Sequence, residues 1–354
     1  MEKHVQIMDA KLGPNGDCLE KPASASRWLE LAEQVLAGHR LSPKEGLEIL
    51  RSRDEELLEL LAAAYRVRYH YFSRLVQVNF LINAKSGLCG EDCAYCSQSA
   101  VSKAPIPKYP LVSKEKILEG AALAIAHRAK TYCIAVSGRS PTDKEIDLLA
   151  EAVREVKQRY PLRICVSPGL LSPQQAIRLQ QAGVDRVNHN LNTSQRFYPR
   201  ICTTHSYQAR LATLEAVRAA GLEICSGALL GMGEEEEDVV DLALELARLQ
   251  VEAIPINFLN PIPGTPLEGT WRLTPRYCLK ILCLFRLAVP KAELRMSAGR
   301  EQHLGPLQPL GLYPANSLFV GGYLTTRGRD PEEDFRMIEA LGFDVVPEGA
   351  HVPH

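Results

Sequence analysis

Between residues 87 and 96 the chain reads Gly-Leu-Cys-Gly-Glu-Asp-Cys-Ala-Tyr-Cys, which gathers Cys89, Cys93 and Cys96 into one short loop. Three thiolates so placed can take three corners of an iron–sulfur cube, a [4Fe–4S] cluster being usually held by four cysteines. The missing fourth thiolate would leave one iron open to a substrate or cofactor. A zinc site completed by a ligand from elsewhere is the competing reading. The three-residue first gap, with Tyr95 just before the last cysteine, favours the cluster.

A second set is dispersed. Cys133, Cys165 and Cys225 each fall inside a β-like run, and each has a small residue two positions on, Ala135, Ser167 and Gly227. Side chains alternate across a strand, so each pair shares a face. Arg295 and Ser297 repeat the spacing. Faces turned inward would bring three thiols and a guanidinium together, enough to hold a [2Fe–2S] cluster. A lone buried cysteine is more often a small hydrophobe. Arg295, normally protonated and a poor ligand, reads from chemistry alone as a counter-charge. Asn188, Asn190 and Asn192 also alternate, a costly face for a core but a suitable one for a pocket that hydrogen-bonds a ribose or a cyclic urea. Asn257 and the pair Thr325-Thr326 add polar groups, whereas His189 points the other way by parity and reads as structural.

The elements that must position these groups alternate along the chain. Strand candidates are Val76–Ile82, Thr131–Gly138, Arg163–Pro168, Arg186–Asn192, Glu223–Gly231, Ala253–Leu259, Glu293–Ala298 and Ser317–Leu324, with helices such as Asp143–Arg159 and Tyr207–Ala220 between them. Eight such units predict an α/β fold, a (β/α)8 TIM-type barrel, over a doubly wound open sheet. The cysteine loop, inside Asn83–Pro110, follows the first strand, at the end where barrels do chemistry. Residues 1–25 read as a loose arm, 26–74 as an N-terminal helical extension, 75–345 as the barrel and 346–354 as a tail. In the extension Leu29, Leu31, Val35 and Leu36, then Leu57, Leu58, Leu60 and Leu61, recur at helical spacing, and Ser42-Pro43 reads as a cap and first turn. The acidic run Glu234–Asp238 suits a helix N-terminus.

A chain of 354 residues, 46% hydrophobic with net charge −1, can bury one large core and offers no electrostatic reason to expect nucleic acid or a membrane as partner. The first residues lack a signal peptide's apolar stretch, so a cytoplasmic protein is expected. Ten cysteines in a reducing compartment then call for metal, catalysis or burial.

The loop Cys-x3-Cys-x-Tyr-Cys resembles the signature of the radical S-adenosylmethionine superfamily, in which the Tyr95 position packs on the adenine. Further motifs resemble the biotin synthase family within it, over about Leu57 to Gly342: Asn-His-Asn-Leu-Asn-Thr-Ser at 188–194, Cys-Ser-Gly at 225–227 and Arg-Met-Ser-Ala-Gly-Arg-Glu at 295–301. The resemblance implies a sulfurtransferase that inserts sulfur from a [2Fe–2S] cluster into dethiobiotin to form biotin. The 5′-deoxyadenosyl radicals for this come from S-adenosylmethionine cleaved at a [4Fe–4S] cluster. It assigns Cys89, Cys93 and Cys96 to the first cluster, and Cys133, Cys165, Cys225 and Arg295, now as a true ligand, to the second. It places Tyr95, Asn190, Asn192, Arg210 and Leu229 near S-adenosylmethionine, Asn188, Asn190 and Asn257 on the ureido ring of dethiobiotin, and Thr325 and Thr326 at its carboxylate. It also implies a homodimer and an external electron donor such as flavodoxin or ferredoxin.

Gly90 stands where proline is common, and Asn192 where some members carry aspartate. Ala135-Val136-Ser137-Gly138 lacks the glycine-glycine-glutamate of many superfamily members. Cys18, Cys202, Cys278 and Cys283 match no cluster position, the last two being expected to pack in a helix. The rivals are another barrel of the superfamily, such as a hydrogenase-cluster maturase or a methylornithine synthase, and a zinc-stabilised barrel that binds a ligand without redox chemistry.

Overall fold

The structure, a computed structural model, describes residues 26–270 and 272–347. The arm expected at 1–25, with Cys18, and residues 348–354 of the tail lie outside them.

Helices α1 (Arg27–Leu36), α2 (Pro43–Leu50) and α3 (Leu57–Phe72) form the N-terminal extension. Ser42 caps α2 in a reciprocal box with Glu45, and Pro43 takes the first turn, where its missing N–H costs nothing. On α1 the buried stripe is Trp28, Leu31, Ala32 and Val35. Leu29 and Leu58, expected on apolar faces, are 39% and 71% exposed, because each lies a residue away from its helix's buried stripe.

Strands β1 (Leu75–Lys85), β2 (Thr131–Val136), β3 (Arg163–Ser167), β4 (Arg186–Asn188), β5 (Glu223–Cys225), β6 (Ala228–Leu230), β7 (Ala253–Phe258), β8 (Glu293–Met296) and β9 (Ser317–Phe319) are parallel, and the sheet closes where β9 pairs with β1. Both β5 and β6 pair with β7, so they are one barrel position in two pieces and the barrel has eight. The sequence reads this position as one unbroken run. The break falls at Gly227, where a Cβ would lie 2.0 Å from the Pro255 carbonyl oxygen. A short strand β10 (Asp344–Val345), not foreseen from the sequence, pairs with the start of β1.

Around the strands lie α4 (Lys114–Ala126), α5 (Asp143–Arg159), α6 (Pro173–Gln181), α7 (Tyr207–Ala219), α8 (Glu236–Arg248), α9 (Pro275–Ala288), α10 (Arg300–Leu304) and α11 (Pro331–Ala340). Ser113, Thr142, Ser172, Ser206 and Thr274 each accept a hydrogen bond from the N–H three residues on, which starts the next helix and is worth about 1 kcal/mol apiece. Helix α9 is buried on all sides, including Cys278 and Cys283, because α2 and α3 cover the face an ordinary barrel helix shows to water. The buried Arg68 of α3 donates to the carbonyls of Ala315 and Leu75, tying the extension to the barrel. Among the described residues no helix is long and apolar enough to cross a membrane.

Candidate active site

A cavity of about 260 Å³ opens inside the barrel at the C-terminal ends of the strands. Its upper wall carries Tyr95 and Cys96 from the loop after β1 and Thr325 and Thr326 from the loop after β9. Deeper walls carry Cys133, Cys165 and Arg295.

The cysteine loop is docked, not loose. Ala94 N–H donates to the Ile201 carbonyl at 2.9 Å, Gly87 N–H donates to Gln98 Oε1 at 3.0 Å, and the Asp92 carboxylate accepts from the N–H groups of Thr203 and Thr204 at 2.9 and 3.2 Å. Gly90 is exposed and has open space where a side chain would go, so nothing there demands glycine. Cys89 is half-buried and Cys93 buried, and burial pushes the Cys89 and Cys96 thiols up. Cys93 Sγ lies 3.7 Å from Cys202 Sγ, and that contact first, then burial, holds the Cys93 thiol up. Soft donors gathered on one fixed loop fit the three-cysteine end of an iron–sulfur cube.

The second set converges through strand register. Cys133 pairs directly with Cys165, and Asn188 with Cys225. Cys165 touches both Cys133 and Cys225; the Cys133 contact, with burial and against the opposing Cys225 contact, raises the Cys165 thiol well above the usual range, and the Cys165 contact, then burial, does the same for Cys225. Cys225 is fully buried behind the cavity wall, where Asn188 Nδ2 lies 3.2 Å from its sulfur. Arg295 lies over Phe319, 4.8 Å from the ring centroid. Its Nε and Nη2 donate to Glu293, and Nη1 has no hydrogen-bond partner among the described residues. Three contiguous buried thiols with one unengaged guanidinium nitrogen fit a small cluster.

The asparagine face differs from its expectation in cause. The strand ends at Asn188, since Asn192 adopts φ 69° and bridges to Ala228. The three amides still line the cavity. Asn188 Nδ2 and the Gly227 N–H donate to Asn190 Oδ1, each at 3.0 Å, and Asn192 Nδ2 donates to the Tyr95 hydroxyl at 2.6 Å. Asn257 lines the cavity too, with its amide donating to the Ala228 carbonyl and accepting from the Ala298 N–H. Leu229 lines it and donates its N–H to the Asn192 carbonyl. Thr325 Oγ1 is 2.8 Å from Ser97 Oγ. Arg210 lies outside the lining, buried beneath it, where it donates to the Asn190 carbonyl and the Tyr198 hydroxyl. His189 is buried away from the cavity, and burial holds its pKa well below the usual imidazole value.

Sequence reading missed the barrel floor. Glu293, 1% exposed, accepts from Gln77, Asn79, Arg186, Arg295 and Ser317. Burial alone would raise its carboxyl, but Arg295 and Arg186 hold it well below the carboxylate range. The signal was available: Glu293 precedes Arg295 by two and Arg186 precedes Asn188 by two, so each shares an inward face. Cys202, with His205, was missed for another reason, since only loop docking brings it to Cys93.

Two family models match the chain: the radical SAM superfamily over residues 85–246, and the biotin and thiamin synthesis associated domain over residues 255–344. Together with a closed barrel bearing its cysteine loop at the strands' C-terminal end, they define a radical S-adenosylmethionine enzyme, a class that takes S-adenosylmethionine and a [4Fe–4S] cluster. The biotin synthase of Geobacillus kaustophilus is 55% identical over 90% of this chain and 96% of its own length, and that of Bacillus subtilis strain 168 is 52% identical over 90% and 96%. The chain belongs to the biotin synthase family, enzymes of sulfur transfer. Among solved structures, methylornithine synthase superposes with TM-score 0.79 at 23% identity, covering 90% of this chain and 98% of that one. The FeFe-hydrogenase maturase of Carboxydothermus hydrogenoformans gives 0.76 at 18%, covering 90% and 79%. Likeness at such identities establishes the shared barrel only.

Proposed function

We propose that this enzyme inserts sulfur into dethiobiotin to form biotin, with Cys89, Cys93 and Cys96 holding a [4Fe–4S] cluster and Cys133, Cys165, Cys225 and Arg295 a [2Fe–2S] cluster. The carrying observation is that one cavity is lined by Tyr95 and Cys96 above and by Cys133, Cys165 and Arg295 deeper in. When bound, the first cluster supplies the electron that cleaves S-adenosylmethionine to a 5′-deoxyadenosyl radical, and the second supplies the sulfur.

The chain's part is to position and to shield. Tyr95, Asn190, Asn192 and Leu229 form the wall for S-adenosylmethionine, with Arg210 bracing the Asn190 carbonyl from behind. Asn188, Asn190 and Asn257 offer amides to the ureido ring, and Thr325 and Thr326 offer hydroxyls to the carboxylate at the upper wall. Glu293 fixes the Arg295 guanidinium so that Nη1 is the nitrogen left for the second cluster. Walls of Leu81, Phe319 and Tyr323 exclude water from reactive carbon. The enzyme works as a cytoplasmic homodimer fed by a flavodoxin or ferredoxin, and residues 75–345 carry every group named here.

The test is an anaerobic incubation with dethiobiotin, S-adenosylmethionine and a reductant, products being read by mass spectrometry. Biotin and 5′-deoxyadenosine together are expected. 5′-Deoxyadenosine without biotin from fully reconstituted protein would overturn the proposal.

A further inference from the structure

Cys202 and His205 belong to neither ligand set, yet they meet Cys93. The three ligand atoms lie within 4.8 Å of one another, on buried side chains. A tetrahedral ion with Zn–S about 2.3 Å and Zn–N about 2.0–2.1 Å separates two sulfurs by about 3.8 Å and a sulfur from a nitrogen by about 3.6 Å. Cys93 Sγ and Cys202 Sγ are 3.7 Å apart, and Cys202 Sγ and His205 Nδ1 are 3.2 Å apart. The imidazole is oriented for the task. Its Nε2 is 2.8 Å from the Tyr198 hydroxyl, which can take the remaining ring proton, as partners behind metal-bound histidines do. The buried Glu91 carboxylate touches the same Nδ1, close to where a fourth ligand or a water would sit.

We infer that Cys93, Cys202 and His205 form a further metal site, for a zinc-like divalent ion, which the cluster-free chain fills and which competes with [4Fe–4S] assembly for Cys93. Two thiolates and an imidazole suit zinc. Both sulfurs bind as thiolates, any thiol proton they carry going to solvent, and the imidazole binds neutral with its proton on Nε2. The site stands on geometry alone, whereas the competition rests on the assignment of Cys93 to the cluster.

The experiment uses the full chain purified without cluster reconstitution and given one equivalent of zinc. X-ray absorption at the zinc edge should show two sulfurs near about 2.3 Å with nitrogen or oxygen completing the shell. Three sulfurs would place the ion on the cysteine loop and overturn the site. Cys202→Ser should weaken zinc binding by more than the roughly ten- to hundredfold that loss of an outer partner costs, with Cys89→Ala leaving it unchanged. The reverse pattern overturns the site, and the wild-type absorption spectrum decides alone if a variant fails to fold. Zinc should slow iron and sulfide uptake by wild type but not by Cys202→Ser. Equal uptake rates with and without zinc in wild type would remove the competition.

Discussion

Asn192 donates its side-chain amide to the Tyr95 hydroxyl at 2.6 Å, joining the turn after β4 to the cysteine loop. Asn192 does this from φ 69°, a left-handed conformation asparagine tolerates and alanine does not. Asn192→Ala should therefore cost about 2 kcal/mol, one part lost hydrogen bond and one part backbone strain, and Asn192→Gly only about 1. Denaturant melts would show glycine as the milder change. Equal losses would mean the backbone is not strained there.

Cys165 touches both of its neighbouring thiols, and the cysteine loop lies on another wall of the cavity. Cys165→Ala should abolish biotin formation and leave S-adenosylmethionine cleavage detectable. Mass spectrometry of both products checks this, and a normal biotin yield would refute the assignment.

Glu293 faces two buried guanidiniums, Arg186 and Arg295. Glu293→Gln leaves Arg295 without its carboxylate and Arg186 with Glu223 alone, and breaking a buried pair from one side costs about 3–5 kcal/mol. Calorimetry should show a clear fall in Tm. Loss below about 1 kcal/mol, the range of an exposed pair, would mean that water reaches the floor.

Asp238 accepts from Ser194 Oγ, the Glu235 N–H and Arg196. Burial alone would raise its carboxyl, but these donors hold it below the ordinary value. A depressed carboxyl stabilises fully above its unfolded pKa, near about 3.9, and loses that contribution as pH falls through it toward the lower folded value. Asp238→Asn should be less stable by about 1 kcal/mol at pH 7 and converge on wild type only as pH falls below the depressed folded pKa of Asp238. A constant gap across pH would exclude the carboxylate charge as its cause.

The fold was largely legible because the barrel repeats one local instruction, a β-branched run followed by a capped helix start such as Thr142 or Ser206. The meeting of Cys133, Cys165 and Cys225 was legible through strand parity. Parity could not tell that Cys225 lies behind the cavity wall, since register with Asn188 decides that. Nor could spacing bring Cys202 to Cys93, because the Ala94–Ile201 backbone bond that joins their loops has no signature in either segment. The break at Gly227 depends on a carbonyl from β7, a strand formed later in the chain.

With Glu293 and its five donors packed across the strands' N-terminal ends, the cylinder among the described residues has a floor at one end and a cavity at the other. Whatever settles against Cys165 and Arg295 passes Tyr95 on the way in and again on the way out.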